Sequence, residues 1–164
     1  MKRELQYSLL IKYHVFFDWL KEDKSELIKP MQFGIECGDG WYWILDNLMS
    51  SILHYQKCNS HRKGNDKFIR VRQIKEKFGR LEFYFSGGDD LIEGMVWLAT
   101  QMSYKTCEYC GSTENVGRTK GWISVVCKTC HNKSTRLGYK EWIPIENNDR
   151  LIKLVKIKKI MDKQ

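Results

Sequence analysis

Two pairs of cysteines, each separated by two residues, constrain this chain more than any other feature. The first pair is Cys107 and Cys110, and the second is Cys127 and Cys130. A C-x-x-C turn directs two thiolates at one ion, and two such turns joined by a hairpin supply four sulfurs at about 2.3 Å in a tetrahedron. The spacing therefore predicts one structural Zn²⁺ in a closed shell, with no coordination position left for a reacting water.

Other interpretations exist for this set of four cysteines. Free thiols or an iron–sulfur site fit the same residue types. Residues 127–131 also match the C-x-x-C-H pattern of c-type haem attachment. The haem interpretation leaves Cys107 and Cys110 without a role, so a single structural zinc ion explains more of the sequence.

The six cysteines of this 164-residue chain also fit a secreted disulfide scaffold. The first twelve residues carry early charges and do not resemble a signal peptide, and no apolar run approaches the roughly 20 residues that span a bilayer. We therefore expect a chain of a reducing cytoplasm with no membrane partner. Cys37 and Cys58 stand outside the paired units, and they are either buried or idle thiols or, with His61, part of a second metal site.

Hydrophobic spacing predicts the elements that surround the cysteine pairs. An amphipathic helix is expected from Leu5 to Leu20, and a second helix should follow Asp39 as its N-cap. Short strands are expected over residues 32–36 and 142–145. Two longer strands, Phe68–Ile74 and Leu81–Phe85, should form a hairpin, and a third helix should begin at Asp89 and Asp90.

These elements predict an α+β fold with a small antiparallel sheet and about four helices. A four-cysteine zinc-ribbon or knuckle module is expected as an insertion at about residues 106–133. Residues 1–164 are expected to form a single domain, because no low-complexity linker interrupts them. A basic C-terminal helix is expected over about residues 148–163.

The formal net charge of +8 is compatible both with an acidic partner and with a surface that is basic only for solubility. A basic surface raises the local concentration of nucleic acid and of acidic proteins, although a lysine-rich soluble surface has the same composition. Trp122 lies close to the cysteines and is available either for base stacking or for packing. The candidate partner-binding residues are Arg70, Arg72, Lys75, Lys77, Arg80, Arg118, Lys120 and Trp122.

Residues 107–116 and 126–133 resemble the two zinc knuckles of HNH endonucleases. In that family, a histidine between the knuckles activates water, and a further His or Asn holds the catalytic divalent ion. Here residues 117–124 contain no histidine and no carboxylate, whereas His131 matches the metal-binding position. The resemblance implies a degenerate scaffold that lacks the general base needed for hydrolysis.

A second resemblance covers roughly residues 32–131. The stretches 33–42, 71–84 and 121–130 look like those of small zinc-ribbon proteins encoded by phages and prophages. This resemblance implies a protein made in the bacterial host cytoplasm during infection. It supplies no catalytic residues.

Three functions are compatible with these patterns. The first is a non-catalytic, zinc-stabilised protein that binds nucleic acid or a nucleic-acid-associated host factor through its basic surface. The second is an anti-defence, anti-CRISPR-like protein that inhibits a host protein by occupying its surface. The third is an enzyme of the HNH nuclease type, but no spaced catalytic motif unites the candidate groups Glu36, Asp39, Asp46, Asp89, Asp90, His14, His54 and His61.

Overall fold

The computed structural model describes residues 1–17, 34–59 and 68–145 of the chain. Helices and small antiparallel sheets are combined in this part of the chain, which confirms the α+β class. Among these residues, no helix is both long enough and apolar enough to cross a bilayer. The elements are α1 Arg3–Lys12, α2 Tyr42–Cys58, β1 Arg70–Lys77, β2 Arg80–Ser86, α3 Asp90–Ser103, β3 Val116–Thr119, β4 Val125–Cys127, α4 Lys128–Lys133 and β5 Trp142–Pro144, with short 3₁₀ turns at His14–Phe16 and Asp39–Trp41.

The larger core lies where α2 packs against α3, and α3 against β2. The apolar stripe of α2 is buried as its i, i+3, i+4, i+7 spacing predicts, and it comprises Ile44, Leu45, Leu48, Met49 and Ile52. The Asp89 side chain accepts a hydrogen bond from the Ile92 N–H, which confirms its predicted place at the start of α3.

Strands β1 and β2 form the predicted hairpin. They pair antiparallel in a register that closes with Lys77 opposite Arg80, and a bulge interrupts the ladder between Val71 and Gln73. Phe78 and Gly79 make the two-residue turn, and both have a positive φ, of 54° and 76° respectively. A turn with two positive φ values matches the right-handed twist of the strands that it joins.

A second sheet of three strands holds the cysteine segment, in the order β4-β3-β5. The predicted strand at residues 142–145 is confirmed as β5, and it pairs antiparallel with β3. A smaller apolar cluster lies in this region. Its buried members are Cys107, Val116, Val125, Val126, Cys127 and Leu137.

Three predictions near the N-terminus are corrected. Helix α1 ends at Lys12 and is followed by a 3₁₀ turn, so it is shorter than the predicted helix, whose expected end at Leu20 lies outside the described residues. The Asp39 side chain accepts a hydrogen bond from the Lys2 backbone N–H at 2.7 Å and does not cap α2. The strand expected over residues 32–36 is represented by a single bridge between Glu36 and Lys75, and residues 32–33 are outside the described part.

The basic helix predicted over about residues 148–163 lies outside the described residues.

Candidate metal centre and its surroundings

The first cysteine pair lies on a tight loop after α3. The Cys107 N–H donates to the Ser112 carbonyl oxygen at 2.8 Å, and the Gly111 N–H donates back to the Cys107 carbonyl oxygen at 2.9 Å. Gly111 has a φ of 78°, a conformation that favours glycine, and it lets the chain reverse directly after Cys110. The loop therefore turns both sulfurs of this pair towards the same side.

The second pair joins β4 to α4. The Cys127 side chain caps α4, because its Sγ accepts from the Cys130 N–H at 3.4 Å. The Lys128 N–H donates to the Asn115 carbonyl oxygen at 2.9 Å, which fastens the start of α4 to the segment that leads into β3. Pairing of β3 with β4 then brings this turn next to the first one.

The four sulfurs converge on one point. The Sγ atoms of Cys107, Cys110, Cys127 and Cys130 all lie within 4.8 Å of one another. Cys110 Sγ and Cys127 Sγ are 3.7 Å apart, far beyond the roughly 2.05 Å of a disulfide bond, and all four cysteines are free. Sulfurs placed about 2.3 Å from a central ion at tetrahedral angles are about 3.8 Å apart. The cluster is therefore compatible with a metal site of four thiolate ligands.

The electrostatics of the cluster also favour a cation. Burial raises the pKa of the Cys107 thiol, and burial together with the neighbouring thiols raises the pKa of Cys130. Burial acts to raise the pKa of Cys110 as well, but the Ser112 N–H and the adjacent thiols lower it overall. Several thiolates cannot coexist in so small a volume without an opposite charge. A divalent ion at the centre would supply that charge and favour the deprotonated form of all four sulfurs.

The metal loop, which is the segment 107–111 that carries the first cysteine pair, contacts the turn at residues 38–40. The Gly40 N–H donates to the Glu108 carbonyl oxygen at 2.8 Å, and the Gly38 N–H donates to Glu108 Oε1 at 2.9 Å. A Cβ on Gly40 would lie 2.2 Å from the Cys107 carbonyl oxygen, so only glycine permits this approach. Burial raises the pKa of Glu108 to about 7, although the bond from Gly38 opposes that shift.

The two remaining cysteines occupy different environments. Cys37 is buried in the larger core, where burial raises the pKa of its thiol to about 12. Cys58 is exposed at the end of α2, with its Sγ 3.7 Å from His54 Nε2. His61 lies outside the described residues. Within residues 1–17, 34–59 and 68–145, no second group of three Cys, His, Asp or Glu ligands converges as the four cysteines do.

His131, the position matched to the HNH metal ligand, is only 5% exposed. Its Nε2 lies 3.0 Å from the Lys140 carbonyl oxygen, and its ring packs against Trp142 with the centroids 6.5 Å apart. These contacts give His131 a role in joining α4 to the segment before β5.

The basic residues predicted on the hairpin are held in several ways. Arg80 forms an ion pair with Glu82 at 2.6 Å. Arg72 Nε donates to Ser86 Oγ at 3.1 Å, and Lys75 Nζ lies 5.5 Å from the Tyr84 ring centroid. Lys77 Nζ lies 5.6 Å from the Phe78 ring centroid. Arg70, at the start of β1, is half-buried.

The two basic residues in and directly after β3 differ in their surroundings. The Arg118 guanidinium stacks 4.7 Å from the Tyr104 ring centroid, and its buried Nε has no hydrogen-bond partner among the described residues. Lys120 forms an exposed ion pair with Glu141 at 3.0 Å. Arg118 is thus largely a packing residue, whereas Lys120 remains at the surface.

Two turns from separate sheets enclose a groove of about 380 Å³. One wall is the β1–β2 turn and the other is the β3–β4 turn. Trp122, 65% exposed, lies in one wall, and Phe78, 68% exposed, in the other. Phe78 was not among the residues predicted to bind a partner, because the sequence pattern indicated only a turn there. The lining residues are Glu76, Lys77, Phe78, Gly121, Trp122 and Ile123.

No family model, curated protein or solved structure matches this chain.

Proposed function

We propose that this chain is a non-catalytic, zinc-stabilised protein that binds nucleic acid through the groove between its two turns. The observation that carries the proposal is the shared position of Lys77 and Trp122. These residues come from different sheets and line the same groove. A cation beside an exposed aromatic ring is the combination that contacts a phosphate and a base together.

Zinc is the proposed ion because of the ligand set. Four cysteine ligands with no carboxylate among them are typical of structural zinc sites, and zinc favours tetrahedral coordination. In this proposal the ion fixes β4 and the loop after α3, and thereby the sheet that carries Trp122. An iron–sulfur site with the same ligands would be coloured, so the absorption spectrum of the purified protein separates the two interpretations.

Charge supports nucleic acid as the partner. Arg72, Lys75 and Lys77 are held by neutral groups, namely a serine hydroxyl and two aromatic rings, so their positive charges remain available to phosphates. Arg80 and Lys120 are paired with carboxylates and are expected to contribute less. Glu76 also lines the groove and brings one negative charge to it, and its Oε1 accepts the Gly79 N–H at 2.6 Å, which holds the hairpin turn.

The test is the affinity for fluorescently labelled oligonucleotides across a salt series. We expect affinity to fall steeply as salt rises, and Lys77→Glu should weaken binding and reduce the log–log salt slope by about 1. The matched control is Arg3→Glu, an identical charge change on α1. If both variants lose affinity equally, binding depends on net charge and not on the groove. If the unmodified protein binds no oligonucleotide, the proposal is wrong.

A further inference from the structure

Phe78 has a backbone conformation that is costly for its residue type. It stands at the first position of the two-residue β1–β2 turn with a φ of 54°. The left-handed region is uncommon for residues other than glycine and strained for a bulky aromatic, and Asn-Gly is the pair that such a turn favours. The sequence instead places Phe-Gly at this turn.

Burial of the Phe78 ring does not offset the energetic cost of this backbone conformation. The Phe78 side chain is 68% exposed, so it contributes little to either core. Strained residues of this kind concentrate at sites of function, where the conformation itself is needed. The conformation of Phe78 holds an exposed ring at the tip of the hairpin.

Both turns are fixed relative to each other. A Cβ on Gly79 would lie 2.7 Å from Ile123 Cγ2, so the hairpin turn presses directly on the β3–β4 turn. Thr119 Oγ1 donates to the Trp122 carbonyl oxygen at 2.7 Å and accepts from the Ser124 N–H at 2.9 Å. These contacts hold the backbone of each aromatic residue in place, while both side chains remain exposed to a ligand.

We propose that Phe78 and Trp122 stack on unpaired bases, so that the groove takes single-stranded nucleic acid in preference to duplex. This inference rests on the proposed function and specifies its ligand. Exposed aromatic rings bind bases by their faces, and in a duplex those faces are already covered by neighbouring base pairs. Lys77, next to Phe78, is placed to contact the phosphate of the stacked nucleotide.

The experiment compares a single-stranded oligonucleotide with a duplex in the zinc-loaded full chain. We expect tighter binding to the single strand, and Trp122→Ala should weaken it by about 5- to 100-fold while leaving duplex binding unchanged. Phe78→Asn should weaken single-strand binding similarly. The same substitution should raise the melting temperature by about 2–6 °C, because it creates the Asn-Gly pair. Tyr7→Ala, which removes an exposed aromatic ring from α1, should change neither affinity.

A gain in stability together with a loss of binding distinguishes a ligand-contacting residue from a structural one. If Phe78→Asn lowers the melting temperature, or leaves single-strand affinity unchanged, the inference is overturned. The inference would also be overturned if single strand and duplex bound equally and neither Phe78→Asn nor Trp122→Ala changed the affinity. If that binding depended on salt, the proposed function would still stand. Absence of binding to either form would overturn both.

Discussion

Trp41 Nε1 donates a buried hydrogen bond to the Thr106 carbonyl oxygen at 2.9 Å. Thr106 directly precedes Cys107, the first residue of the four-cysteine cluster. The indole ring is fully buried in the larger core. The bond therefore connects the start of α2 to the loop that carries Cys107, across 65 positions of sequence. Packing of the helices and placement of the sulfurs are coupled through this contact.

Trp41→Phe is predicted to destabilise the fold and to weaken metal retention. The substitution leaves the buried Thr106 carbonyl oxygen without its donor, which costs about 1–3 kcal/mol before any loss of packing is counted. Denaturant unfolding measures the first effect, and competition with a zinc chelator measures the second. Trp43→Phe, at a more exposed position of α2, is the matched control and should change stability by less than about 0.5 kcal/mol.

Gly40→Ala is predicted to disturb the same junction from the other side. The added methyl would lie 2.2 Å from the Cys107 carbonyl oxygen and 2.4 Å from the Gly111 nitrogen, both backbone atoms of the metal loop. We expect a loss of about 1–3 kcal/mol and faster release of the ion to a chelator. Gly94→Ala on α3 meets nothing within 4 Å and should stabilise the fold by about 0.5–1 kcal/mol. Equal effects of the two substitutions would contradict the close docking at Gly40.

Asp46 is predicted to contribute stability that is lost in acid. Burial acts to raise the pKa of Asp46, but hydrogen bonds from Lys12 Nζ at 2.7 Å and from the Tyr13 hydroxyl lower it overall. A carboxyl group whose pKa is lower in the folded state stabilises the fold above its unfolded pKa. That contribution to stability disappears as the pH falls through the pKa that the carboxyl group has in the folded state.

Asp46→Asn should therefore flatten the decline in stability below about pH 4 and lower stability slightly at neutral pH. Unfolding free energies measured over a pH series test this expectation. Lys12→Met, which removes the cationic partner, should weaken the pH dependence in the same direction. A pH profile of Asp46→Asn parallel to that of the unmodified protein would show that the carboxylate does not have a lowered pKa.

Removal of the metal is predicted to destabilise the whole described fold, because the cluster joins the loop after α3 to β4 and α4. Chelation should lower the melting temperature by about 10 °C or more, and added zinc should restore it. Cys107→Ser should reproduce the loss without chelator. Cys58→Ser, at an exposed cysteine outside the cluster, should melt like the unmodified protein.

The sequence predicted features that depend on neighbours along the chain. The C-x-x-C spacing sufficed to predict that the four cysteines converge, and the alternation in β1 and β2 sufficed for the hairpin. Asp39 was assigned wrongly because its local pattern fits an N-cap, whereas its partner is Lys2, 37 positions away. No local pattern indicates such a contact.

The groove was less predictable than the cluster. Lys77 and Trp122 were singled out from composition and position, but the groove that they share depends on how the two sheets pack. Phe78 was missed because a turn position gives no sign of its φ value until the hairpin register is known. A Phe-Gly pair between two predicted strands is nevertheless a detectable signal, since Asn-Gly is the expected choice.

The metal content of the purified chain tests the central claim most directly. Native mass spectrometry, with elemental analysis of the same sample, should find one zinc ion per chain, and none should remain in a variant with both Cys107 and Cys127 changed to serine. A chain that is folded without any metal, or one whose zinc survives those two substitutions, would contradict the assignment of the four cysteines as a single structural centre.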